Sequence, residues 1–137
     1  MKTYYFDTSI WLDFFENRNE PSMPKGEWAK KLVSNISENK DKIIFSDNNS
    51  IELEGIGYSK YEIEDLLSSL KPLIYYVEST AKQVENARDL SKKRDVPKRD
   101  ALHALLARDN KAILVTLDNH FKKLTDIAYP CSPKSLI

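Results

Sequence analysis

Apolar residues fall along this chain in short blocks that alternate between two periods. Thr3 to Phe6 is a run of strand formers, and Ile10, Trp11, Phe14 and Phe15 follow at helical spacing, which predicts a strand passing into a helix. Asn17 to Lys25 carries Pro21 and Pro24 among polar residues and reads as a loop, after which Trp28, Leu32, Val33 and Ile36 mark the apolar stripe of a second helix. Lys42 to Phe45 suits a buried strand, closed by the turn and cap formers Ser46-Asp47-Asn48-Asn49. Helical spacing resumes from Ser50 through Tyr61, although Gly55 and Gly57 each weaken it by about 1 kcal/mol relative to alanine. Leu73 to Val77 predicts a third strand, Ser79 to Lys93 a highly charged helix, and Pro97 the first turn of a helix reaching about Asn110. Ala112 to Thr116 is then a fourth strand, Asn119 to Leu124 a short helix, and Ile127 to Tyr129 a last short strand. Such alternation predicts a three-layer α/β/α fold with a mostly parallel central sheet covered on both faces, while leaving the strand order open.

Composition narrows the class. The 137 residues and 41% hydrophobic content fit one domain, 1–137, with one buried core. Twenty-one basic residues balance 21 acidic ones, so any attraction to nucleic acid must be local and not global. The lone Cys131 excludes an internal disulfide framework and a cysteine-based zinc site, and points to a reducing compartment. The N-terminus turns directly into the first strand without the apolar stretch of a signal peptide, and no apolar run approaches the ~20 residues that span a bilayer. The expectation is a soluble cytoplasmic protein.

In an open α/β sheet, ligands bind at the carboxyl ends of the strands. Asp7 ends the first strand, Asp118 follows the strand ILVT, Glu52 follows KIIFS by one short segment, and Asp100 opens the helix begun at Pro97. Carboxylates gathered in this way repel one another and raise each other's pKa unless a cation sits between them. Oxygen donors suit Mg²⁺ or Mn²⁺, which can activate water and stabilise charge developing on a phosphodiester.

Four segments together resemble a PIN domain: Asp7-Thr8-Ser9, Glu52-Leu53 within Ser46 to Gly55, Asp100-Ala101-Leu102-His103-Ala104 after Val96-Pro97, and Leu114-Val115-Thr116-Leu117-Asp118 before His120-Phe121. They occur in the family's order and cover nearly the whole chain. The small size is similar to that of VapC-like toxins of toxin–antitoxin pairs. The resemblance implies a Mg²⁺- or Mn²⁺-dependent endoribonuclease acting on RNA, with Asp7, Glu52, Asp100 and Asp118 as the acidic catalytic and metal-binding set. It also implies that Ser9 and Thr116 orient those carboxylates or water, that the protein forms a homodimer, and that an antitoxin protein silences it. Glu54 is the fallback for Glu52, because positions two apart on a helix lie ~200° around the axis and cannot both face one metal.

Each residue also has a plainer role available. Asp100 is well placed as a first-turn acid, and Asp7 and Asp118 as N-caps. Three caps plus Glu52 in family order favour a site over coincidence. His103 reads as a packed helix residue without a role, His120 as a solvated imidazole, and Cys131 as chemically idle. Trp11, Phe14 and Phe15 read as core or dimer surface. Of the five basic residues among Lys92 to Arg99, Lys98 and Arg99 are the expected contacts to substrate phosphates. A haloacid-dehalogenase-type phosphatase would need an acid two residues after Asp7, where Ser9 stands, and a receiver domain would need paired early acids and a late lysine around an Asp at the third strand, which here ends at Val77-Glu78. The remaining alternatives are a catalytically silent PIN-like module binding RNA or protein, which would have lost site acids, and a housekeeping RNA-processing nuclease.

Overall fold

In the computed structural model, which describes residues 1–137, five parallel strands form one sheet. They are β1 (Thr3–Phe6), β2 (Lys42–Ser46), β3 (Ile74–Val77), β4 (Ile113–Val115) and β5 (Pro130–Cys131), in the order β3-β2-β1-β4-β5. Successive strand residues point to opposite faces. Tyr4, Phe6, Ile43, Phe45 and Val115 therefore enter one core, while Tyr5, Ile44 and Leu114 enter the other. The first core is closed by α1 (Thr8–Glu16), α2 (Lys25–Glu38), α3 (Asp47–Gly55) and α4 (Lys60–Leu67), through Ile10, Trp11, Leu32, Ile36, Leu53 and Ile63. The second is closed by α5 (Ala81–Arg94), α6 (Lys98–Asp109) and the 3₁₀ turn Asn119–Leu124. Trp11 belongs to the first core outright, with Phe14 and Phe15 packed partly buried against it.

The three-layer α/β/α expectation holds, with corrections at the boundaries. The helix expected from Ser50 through Tyr61 is two helices. Ser46 caps α3 in a reciprocal pair with Asn49, so the helix starts at Asp47, and it stops at Gly55. Gly57 then adopts φ 111°, open to glycine but strained for other residues, and Ser59 with Glu62 builds a second capping box that starts α4. Leu73 closes a 3₁₀ segment, so β3 begins one residue later at Ile74.

The strand expected at Ile127 to Tyr129 lies instead at Pro130–Cys131, opposite Leu114 and Val115. Ile127 and Ala128 both donate their backbone N–H to Leu124 O, which turns the chain before it can join the sheet. No helix is long and apolar enough to cross a membrane.

β1 is the centre of the sheet. From it the chain steps to β2 and β3 on one side, and β4 and β5 lie on the other. The strand order thus reverses at β1, and the carboxyl ends of β1 and β4 open the crevice where such sheets bind ligands. Asp7 N continues the pairing past the strand by donating to Val115 O at 3.1 Å.

Candidate active site

Asp7 stands at the mouth of that crevice and is 4% exposed. Its Oδ1 caps α1, accepting from Ile10 N at 3.1 Å and from the Ser9 hydroxyl at 2.8 Å. Its Oδ2 accepts from the Thr116 hydroxyl at 2.5 Å. Burial pushes the Asp7 carboxyl above its ordinary pKa, against the opposing pull of Thr116, His103, Ser9 and Ile10. The capping role expected of Asp7 is therefore observed, on the same side chain that is the candidate site acid.

Asp100, in the first turn of α6, and Asp118, just after β4, come together with a residue the sequence left in solvent. His120 Nδ1 lies 2.9 Å from Asp100 Oδ2 and 3.0 Å from Asp118 Oδ1. One donor atom from each of these three side chains lies within 4.8 Å of the others. Asp118 also caps the 3₁₀ turn by accepting from His120 N at 2.8 Å, and that turn is what swings the imidazole over Asp100. Burial, followed by repulsion from Asp118, raises the Asp100 pKa to about 6, although His103 and His120 pull it down. Asp7 adds to the rise, so its charge reaches Asp100. The Asp100 carboxyl, held above its normal range, together with the Asp118 carboxylate and the His120 imidazole forms a donor set that fits a divalent cation. The only sequence signal for His120 was its place two residues after Asp118.

Glu52 approaches from α3 on the other side of Asp7. Its Oε1 accepts from the Thr8 hydroxyl at 2.8 Å and pairs with His103 Nε2. Burial raises its pKa, but the contact with His103, followed by the Thr8 hydrogen bond, outweighs it, and the carboxyl is held below its ordinary range. His103, expected to be an idle packed residue, is 1% exposed and hydrogen-bonded at both nitrogens. Glu54 faces away, lining a groove of about 1000 Å³ between α3, α4 and β3. That groove contains none of Asp7, Glu52, Asp100 or Asp118.

Ser9 and Thr116 both contact Asp7, and the Thr116 hydroxyl also accepts from Asp118 N at 3.0 Å. Lys98 is exposed at the start of α6. Arg99 is half-buried, donating from Nη1 to Asn48 Oδ1 at 3.0 Å, so part of its guanidinium is committed within the fold.

A doubly covered parallel sheet with acids at the ends of its central strand and the strand beside it defines a class of proteins. The family model of the PIN domain matches residues 4–127, and the chain belongs to that family. The fold is similar to that of a chain of VapBC2 from Rickettsia felis, solved bound to a DNA fragment from their promoter. That match has a TM-score of 0.68 and 19% identity, covering 95% of this chain and 98% of that chain. A toxin–antitoxin complex from Klebsiella pneumoniae contains a chain similar at TM-score 0.67 and 17% identity, covering 95% of this chain and 97% of that one. No curated protein sequence matches this chain.

Proposed function

We propose that this protein is a metal-dependent endoribonuclease that hydrolyses RNA phosphodiester bonds and acts as the toxin of a toxin–antitoxin pair in the cytoplasm. The observation that carries the proposal is the convergence of Asp100 and Asp118 within one cation's reach, beside a buried Asp7 whose charge raises Asp100 further. Keeping Asp7 buried and Asp100 half-buried as charges without a cation costs free energy that an ordinary structural role would not require.

Asp7, Asp100 and Asp118, with Glu52 beside them, would hold Mg²⁺ or Mn²⁺, and His120 stands within reach of the same position. A divalent cation there supplies stabilisation of negative charge on a phosphodiester and lowers the pKa of water. Thr116 and Ser9 keep the Asp7 carboxylate from rotating. Lys98, exposed at the start of α6 two residues before Asp100, offers a cation for the RNA backbone, with the uncommitted part of Arg99 beside it. Likeness to a chain of a toxin–antitoxin complex supports an antitoxin protein as the partner, and the homodimer that the sequence resemblance implies is proposed with it.

The test incubates the purified protein with a mixed RNA pool under Mg²⁺, Mn²⁺ or EDTA, beside Asp7→Asn and Asp100→Asn variants of matched stability. Cleavage that needs the metal and is lost in both variants is expected. Identical RNA profiles for wild type and variants under every condition would remove the catalytic proposal.

A further inference from the structure

We propose that His103 is the positioning residue for Glu52, fixing which oxygen of the glutamate is left for a divalent cation. The proposal rests on the metal-dependent nuclease put forward above.

The imidazole sits on α6, one turn after Asp100, and is buried away from any substrate, so it cannot itself touch RNA. Its hydrogen-bond state is set by what surrounds it. Arg99 Nη1 donates to Asn48 Oδ1 at 3.0 Å, and Asn48 Nδ2 donates to Arg99 O at 3.1 Å, which fixes the amide's orientation. Asn48 Nδ2 therefore presents hydrogen to His103 Nδ1, 3.1 Å away. The Tyr5 hydroxyl, 2.6 Å from the same nitrogen and 2.7 Å from Ser46 Oγ, completes the cage. With Nδ1 accepting, the ring hydrogen sits on Nε2 and is donated to Glu52.

Two donors then end on one glutamate oxygen. The Thr8 hydroxyl, itself held by Asn49 Nδ2 at 3.0 Å, also donates to Oε1. Oε2 takes no hydrogen bond from the protein and is left free. Saturating one oxygen and sparing the other is how outer groups orient a metal-ligating carboxylate, and removing such groups typically costs about 10–100-fold in metal affinity. The cage draws on β1, β2, α3 and α6, so the glutamate's orientation is tied to the whole switch-point region.

The experiment is Mn²⁺ titration calorimetry on the full chain, with thermal unfolding in EDTA to verify folding. His103→Leu is expected to weaken Mn²⁺ binding by about 10-fold or more in the wild-type background. In a Glu52→Gln background, where the other site acids remain, the same substitution should change affinity by less than about twofold, because the group through which His103 acts is gone. Equal losses in both backgrounds, or none in either, overturn the proposal. A second comparison covers the chance that His103→Leu does not fold. His103→Gln carries an amide at the Nε2 position and should bind Mn²⁺ within a few-fold of wild type, whereas His103→Asn cannot reach Glu52 and should bind like the leucine variant. Equal affinities for Gln and Asn overturn it too. Wild-type protein that takes up no Mn²⁺ overturns the metal-dependent reading itself, and this proposal with it. Wild-type binding with additive losses overturns only the role of His103.

Discussion

The Thr116 hydroxyl joins two acids of the candidate site: it donates to Asp7 Oδ2 at 2.5 Å and accepts from the backbone N–H of Asp118 at 3.0 Å. One side chain at the end of β4 thereby sets the spacing between the end of β1 and the turn that carries Asp118. Thr116→Val keeps the shape and removes both bonds. It should lower RNA cleavage by about 10–100-fold and stability by about 1–3 kcal/mol, since Asp7 is left buried with a lost partner. Thr116→Ser should restore most of the activity. Steady-state cleavage and urea unfolding on the three proteins check this, and a serine variant as poor as valine would contradict it.

Asp100 makes stability depend on pH in a defined direction. Its folded pKa, about 6, lies above the unfolded value near 3.8. The native state therefore binds the proton more tightly, and this group's contribution is complete below about pH 4 and lost as pH rises through 6. The difference is worth about 3 kcal/mol at most. In EDTA, wild type should lose stability relative to Asp100→Asn between pH 4.5 and 7.5. Mn²⁺ should return it at pH 7.5 and do little at pH 4.5. His120→Ala, by removing a group that lowers the Asp100 pKa, should steepen the loss. Urea unfolding across this range that is parallel for wild type and Asp100→Asn would contradict the assignment.

Glu52 and Glu54 should separate cleanly. Glu52 meets Thr8 and His103, whereas Glu54 lines the groove beside β3. Glu52→Gln should reduce metal-dependent cleavage by at least about 10-fold, and Glu54→Gln should leave it within about twofold. Equal losses from the two substitutions would mean that α3 presents its other face to the RNA.

Gly26 carries a stability prediction independent of the site. A Cβ there would stand 2.6 Å from Asn17 C and Oδ1 and 2.7 Å from Asn17 Cα, while Gly26 N donates to Arg18 O at 2.8 Å. The α1–α2 connection cannot retreat without breaking that bond. Gly26→Ala should destabilise by about 1–3 kcal/mol, measured by chemical unfolding, with cleavage per folded molecule unchanged. An alanine variant as stable as wild type would show that the connection yields freely.

Local pattern determined most of the fold. Period-two runs such as TYYF and KIIF and helical stripes such as Trp28-Leu32-Val33-Ile36 specify element type without help from the rest of the chain, because burial on a strand or helix face is periodic. Segments whose structure depends on a distant partner were not legible in this way. Pro130–Cys131 is a strand only because Leu114 and Val115 offer it an edge, and the break after Gly55 depends on a positive φ and a new cap at Ser59.

The candidate site divides along the same line. Asp7, Glu52, Asp100 and Asp118 stand out in the sequence because each acid follows a strand or opens a helix. Which side of α3 faces the crevice, and how the acids are held, was decided by tertiary structure. His103 and His120 look ordinary in sequence: one lies in an alanine-rich helix and the other in a polar turn. Packing of α6 against β1 sets His103 between Tyr5 and Glu52, and the 3₁₀ turn after Asp118 lays His120 over Asp100. A sequence lists the ionisable groups and their local settings. Their partners come from strand order and helix docking, since hydrogen bonds and charge repulsion act over a few ångströms between residues that are here up to 109 positions apart.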